Sequence, residues 1–107
     1  MSIKNIEVQD CLNLLKEDNT YLIDVREVSE FEEVHAQGAC NIPLSELNAE
    51  SVKSKAGASE NDRILLICRS GSRSMTGAQL LQGMGFKDLS NVEGGTLKWV
   101  EEELPSE

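Results

Sequence analysis

Short apolar runs alternate with segments of helical periodicity along this chain, and few architectures accept that order. YLIDV (Tyr21–Val25), ACNIPL (Ala39–Leu44), RILLIC (Arg63–Cys68) and LSNV (Leu89–Val92) read as strands. RILLIC is the most apolar of them and is expected at the centre of a sheet. Val8, Cys11, Leu12 and Leu15 follow the i, i+3, i+4, i+7 spacing of an amphipathic helix. Ser29-x-x-Glu32 has the form of a capping box, predicting a short helix from near Glu30 with Phe31 and Val34 turned inward. Short helices are expected over 45–48 and 51–56, and a longer one over 74–84, stopped by Gly85. A last helix is expected on Leu97, Val100 and Leu104, with Trp99 beside that face. Strands separated by helices require crossover connections. The expected fold is therefore α/β, a central parallel sheet flanked by helices on both faces.

The chain of 107 residues is expected to form one domain over 1–107. Its 39% hydrophobic and 27% charged residues suit a folded domain. The formal net charge of −9 argues against nucleic acid and against anionic membrane surfaces as partners. No apolar run approaches the roughly 20 residues that span a bilayer. MSIKNIEVQD lacks the basic start, apolar stretch and cleavage site of a signal peptide. The three cysteines, Cys11, Cys40 and Cys68, form no CxxC and no disulfide framework. Together these features lead us to expect a reducing, cytoplasmic setting. Nothing forces a dimer, so a monomer is expected. Cys11, Cys40, Cys68 and His35 lack metal-ligand spacings, so no metal is expected, and no cofactor.

In parallel sheets the binding crevice lies beyond the carboxyl ends of the strands. There the chain places Arg26 and Glu27 after one run and CRSGSRS after another. Cys68 thus closes a buried strand and opens a turn into a helix. The first N–H groups of a helix lack intrahelical partners, and its dipole adds positive potential. A curled loop of inward amides makes an anion nest, with Gly71 supplying the backbone freedom. Arg69 and Arg73 add positive charge. A free cysteine has a pKa of about 8.5 and is mostly protonated at neutral pH. Lowering it by about 2 units takes about 2.7 kcal/mol, within reach of amides and charges in a partly dry pocket. His35 is far away in sequence and reads as a structural hydrogen-bonding residue, so the loop itself is expected to activate the sulfur. Cys11 and Cys40 read as small core residues. Trp99 reads as core, and Asp24 with Arg26 as a fixed ion pair.

DVRE at Asp24–Glu27, EF at Glu30–Phe31, His35 with GACNIPL at Gly38–Leu44, CRSGSRS at Cys68–Ser74 and EGGTLKW at Glu93–Trp99 stand in a specific order. In that order the chain resembles the single-domain rhodaneses, sulfurtransferases of the thiosulfate type, from about Val8 to Leu104. The resemblance implies a parallel sheet of about five strands. It implies that Cys68 accepts a sulfane sulfur as a persulfide, from thiosulfate or another small anionic donor. A thiol, cyanide or a protein then takes the sulfur. Arg69, Ser70, Gly71, Ser72 and Arg73 would form the substrate-binding loop, with Asp24 and Arg26 in support. The chain departs from many relatives at Val34-His35-Ala36 and at Cys40, and it carries Gly77 and Gly83 inside a helix.

Three rival functions share these residues. Related folds place five residues between Cys and Arg in a phosphate-binding loop; here there are four, Arg69 to Ser72, a tighter nest suited to one sulfur atom. A non-catalytic regulatory module would commonly lack the cysteine. A sulfur relay to another protein keeps the chemistry, and the acidic surface suits a basic partner.

Overall fold

The computed structural model describes residues 2–107. Five strands make one sheet: β1 (Lys4–Ile6), β2 (Thr20–Asp24), β3 (Ala39–Asn41), β4 (Arg63–Ile67) and β5 (Asp88–Val92). Their order is β1-β5-β4-β2-β3, and every pairing is parallel. The apolar RILLI run is β4, and it lies at the centre. Its position there follows from needing apolar neighbours on both faces.

Five helices cover the sheet: α1 (Val8–Leu14), α2 (Val28–Glu33), α3 (Ala49–Ser51, continued as a π-helical turn over Val52–Ala56), α4 (Ser72–Gly83) and α5 (Gly95–Glu101). Alternate residues of β4 feed opposite layers, as the pleat requires. Ile64 and Leu66 join Val52, Ala78, Leu81 and Phe86 on one side, and Leu65 and Ile67 join Val8, Cys11 and Trp99 on the other. The α/β architecture and the two helical layers thus agree with the expectation from sequence. Gly77 accounts for the close approach of α4, since a Cβ there would meet Leu47 Cδ2 at 3.0 Å. Nothing in the structure explains Gly83.

Two expectations need correction, and one strand carries no signal in the sequence. That strand is β1. It is a three-residue edge whose Lys4 and Asn5 are exposed, so it carries no apolar run. Helix α2 is capped two residues early. Its box is Glu27 with Glu30, and Glu27 N–H donates to Glu30 Oε1 at 3.0 Å. Phe31 and Val34 are consequently only half-buried. In α5 the inward residues are Thr96 and Trp99, while Leu97 and Val100 remain 49% and 46% exposed. Trp99 anchors that face by donating its indole N–H to the Pro105 carbonyl at 2.8 Å.

Candidate active site around Cys68

The chain leaves β4 at Ile67, and Cys68 stands at the carboxyl edge of the sheet, 1% exposed. Helix α4 begins four residues later at Ser72, with Gly71 at φ +117° turning the chain into it. A residue with a side chain would be strained there. The loop backbone is oriented by the start of α5. Thr96 N–H and hydroxyl donate to the Cys68 carbonyl at 2.9 and 3.2 Å, and Leu97 N–H donates to the Arg69 carbonyl at 3.1 Å. These bonds draw the loop carbonyls outward and leave its N–H groups for the sulfur. Gly95 permits the contact. A Cβ at this position would fall 2.3 Å from the Cys68 carbonyl oxygen.

Gly71 N–H donates to Cys68 Sγ at 3.1 Å, and Ser74 Oγ lies 3.2 Å from it. Burial alone raises a thiol's pKa. Here the Ser74 hydroxyl and the amides of Ser74, Gly71 and Ser70 outweigh burial, and the Cys68 thiol titrates below its ordinary range. The other cysteines behave differently. Burial pushes Cys11 up to about 12. It also raises half-buried Cys40, with Lys55 pulling the other way, and Cys40 Sγ rests 3.5 Å from the Lys55 carbonyl.

The two loop arginines have different settings. Arg73 donates Nη1 and Nη2 to Glu30 Oε1 and Oε2 at 2.7 and 2.9 Å. This fork clamps α4 to α2, and it holds the Glu30 carboxyl at about 2. Sequence reasoning missed Glu30 as Arg73's partner, because 43 residues separate them. Arg69 is exposed and makes no ion pair among the described residues. It lines a cleft of about 260 Å³ together with Arg26, Glu30, Thr96, Leu97 and Val100. Ser70 on the loop and Ser72 at the start of α4 are exposed.

Asp24 and Arg26 form the buried pair expected from sequence. Arg26 Nε reaches Oδ1 and Oδ2 at 3.0 and 3.1 Å, and Nη2 reaches Oδ2 at 2.8 Å. Arg26 Nη2 also donates to the Val34 carbonyl at 2.7 Å, fixing the end of α2. Buried charges persist where they are paired and bonded in this way. His35 makes its contacts with Phe31 and Glu107. It stacks on Phe31 with ring centroids 3.6 Å apart, and its Nδ1 faces the Phe31 carbonyl at 2.7 Å. Its backbone exchanges hydrogen bonds with Glu107. Among the described residues no group of His, Cys, Asp and Glu is arranged to hold a metal ion, and no helix is long and apolar enough to cross a membrane.

A doubly covered parallel sheet with a cysteine cradled by amides at a strand's carboxyl end defines an α/β domain of the anion-loop thiol class. The chain belongs to the Rhodanese-like domain family, whose model matches residues 7–102. It is 29% identical to the thiosulfate sulfurtransferase GlpE of Shewanella oneidensis, covering 94% of this chain and 95% of that one. It is 37% identical over 83 residues to YrkF of Bacillus subtilis, a protein named as a candidate sulfur carrier, covering 78% of this chain and 43% of YrkF. The human single-domain sulfurtransferase TSTD1 superposes with a TM-score of 0.80 at 25% identity, over 95% of this chain and 99% of that one.

Proposed function

We propose that the protein is a sulfurtransferase that carries a sulfane sulfur on Cys68. The single observation behind this reading is the polar cradle around Sγ: an amide donating at 3.1 Å and the Ser74 hydroxyl oxygen at 3.2 Å, on a loop whose carbonyls are held outward. Such a cradle suits a thiolate, and it suits the persulfide anion equally, since the charge only moves one atom outward. With thiosulfate as donor, the Cys68 thiolate attacks the outer sulfur. A new S–S bond forms, the old one breaks, and its electron pair leaves with sulfite. An acceptor nucleophile such as cyanide or a thiol then attacks the terminal sulfur and the Cys68 thiolate returns, a two-step covalent cycle. The named activity of GlpE supports this donor class. Arg69, free at the cleft, is the residue we assign to the anionic donor. Ser70, Gly71 and Ser72 supply the loop backbone, Arg73 braces it through Glu30, and Asp24 with Arg26 fixes the floor.

One observation favours a protein as the acceptor: Leu97 and Val100, both half-exposed, flank the same cleft as Arg69. A phosphatase reading gains no support, because Arg73 is already forked onto a carboxylate. Intact-mass spectrometry after thiosulfate treatment tests the proposal. One added sulfur atom is expected, removed by cyanide or a thiol and absent from Cys68→Ser. An adduct on Cys40 would overturn the assignment. Arg69→Ala should raise the KM for thiosulfate with the fold intact, and unchanged kinetics would remove Arg69 from the site.

A further inference from the structure

We propose that Asn91, supported by Asn5, is a positioning residue that sets the direction of the hydrogen bond between Ser74 and Cys68. The inference rests on the reading of Cys68 as the reacting thiol. It adds residues from two strands, β5 and β1, that none of the chemistry above uses.

Ser74 is fully buried and has one hydroxyl proton. Two atoms compete for it: Cys68 Sγ, and Asn91 Oδ1, to which it donates. Asn91 Nδ2 in turn donates to Asn5 Oδ1 at 3.1 Å. In this direction Ser74 can only accept from sulfur, so the chain suits the protonated thiol: Cys68 to Ser74, Ser74 to Asn91, Asn91 to Asn5. A thiolate has no proton to give. Ser74 must then turn its own proton to sulfur, and Asn91 must offer an N–H in place of its oxygen. A half-turn of a carboxamide exchanges its donor and acceptor ends. The Asn91 oxygen then faces Asn5, whose exposed amide can present N–H. The ionised chain runs the opposite way, from Asn5 to Asn91 to Ser74 to Cys68, and each link again joins a donor to an acceptor. When the sulfur ionises, its proton passes to solvent base and the direction of the whole chain reverses.

The two directions are not equivalent in energy. In the ionised one, successive donors point toward a charge, and charge-assisted bonds are about twice as strong as neutral ones. The chain therefore favours the thiolate. A carboxamide is the side chain this position needs. A carboxylate can only accept, and an aliphatic residue can do neither. Asn91 is 4% exposed, where an unbonded amide would be costly. The charged groups around Cys68 are Arg73 and Glu30 from α4 and α2, Asp24 at the end of β2 with Arg26 just after it, and Arg69 of its own loop. None belongs to the chain of amides, so all stay unchanged in the variants below.

The test is the pH dependence of iodoacetamide alkylation of the full chain, with the label located by peptide mass. Asn91→Asp should hold the Ser74 proton away from sulfur. The apparent pKa read from the labelling profile should rise by about one unit, and labelling of Cys68 at pH 7 should fall several-fold. Asn91→Leu should slow it about 3-fold and adds no charge, so it carries the test if the aspartate variant does not fold. In a Ser74→Ala background, Asn91→Leu should change the rate by less than about 2-fold. Native profiles in both Asn91 variants would overturn the proposal, as would an equal effect of Asn91→Leu with and without Ser74. Those outcomes leave the Cys68 reading standing. Label on Cys40 or Cys11 at neutral pH would overturn that reading and this inference with it.

Discussion

Cys11 and Cys68 are equally dry, 0% and 1% exposed, yet their thiols are driven in opposite directions. Cys11 sits on α1 among Val8, Leu65, Ile67 and Trp99, and among the described residues no hydrogen bond reaches its sulfur. Burial acts there unopposed and pushes it up to about 12. Burial raises Cys68 too, though less deeply than Cys11, and there amides and a hydroxyl converge on the sulfur and the balance turns. Exposure therefore says little about which cysteine can react. What decides is whether the surrounding backbone has N–H groups to spare, and only a loop entering a helix has them.

Two substitutions should break this comparison outright. Cys68→Ala should abolish alkylation at pH 7, to about a tenth of the native rate or less, because neither remaining thiol is held ionised. Rapid residual labelling would show that Cys40 or Cys11 is the reactive group. Gly95→Ala attacks the cause rather than the sulfur. Its Cβ would sit 2.3 Å from the Cys68 carbonyl oxygen and 2.5 Å from that of Arg69, at φ +55°. The loop must move off α5, and its amides lose their orientation. We expect a loss of about 3 kcal/mol in denaturant titration. Cys68 labelling should slow toward that of an ordinary thiol. A native labelling rate in a destabilised protein would show that carbonyl anchoring is not what frees the amides.

The same contrast explains what could be read in advance. The reactive loop was legible because its requirements are local: a strand end, Gly71, and small polar residues before a helix, all within seven positions. The parallel sheet was legible because β4 is apolar on both faces. Three features were not. Strand β1 is held by its pairing with β5 rather than by apolar content. The inward face of α5 is set by Trp99 reaching Pro105, so the i, i+3 pattern of Leu97 and Val100 misled. The partner of Arg73 lies on a different helix, and only the crossover topology brings Glu30 beneath it.

That clamp supplies a smaller test. Glu30 is held at about 2, from an ordinary 4.5, first by the bonds from Arg73. A carboxylate depressed by folding stabilises the protein fully above its unfolded pKa. The contribution fades as pH falls from about 4.5 toward about 2. Glu30→Gln lacks it. The Tm difference between native and variant should thus be largest near pH 6 and should narrow progressively between about pH 4.5 and about pH 2. The freed Arg73 charge should also speed Cys68 labelling by about 2-fold, a modest effect because the pair is partly exposed. A Tm gap that stays constant down to pH 2 would show that the clamp contributes no linkage.

Cys11→Ala should have the least effect on reactivity and therefore sharpens the comparison most. It deletes one buried heavy atom from the layer between α1 and β4, which should cost about 1 kcal/mol. Cys68 labelling at pH 7 should be unchanged, since the two sulfurs lie in opposite layers of the sheet. In the native protein, Cys11 should label only as fast as the layer opens, so its rate should rise with denaturant while that of Cys68 is already fast without it. If Cys11 instead labels readily in the folded state, then burial does not protect a thiol here. The difference between the two cysteines would in that case lie in access rather than in the donors around each sulfur.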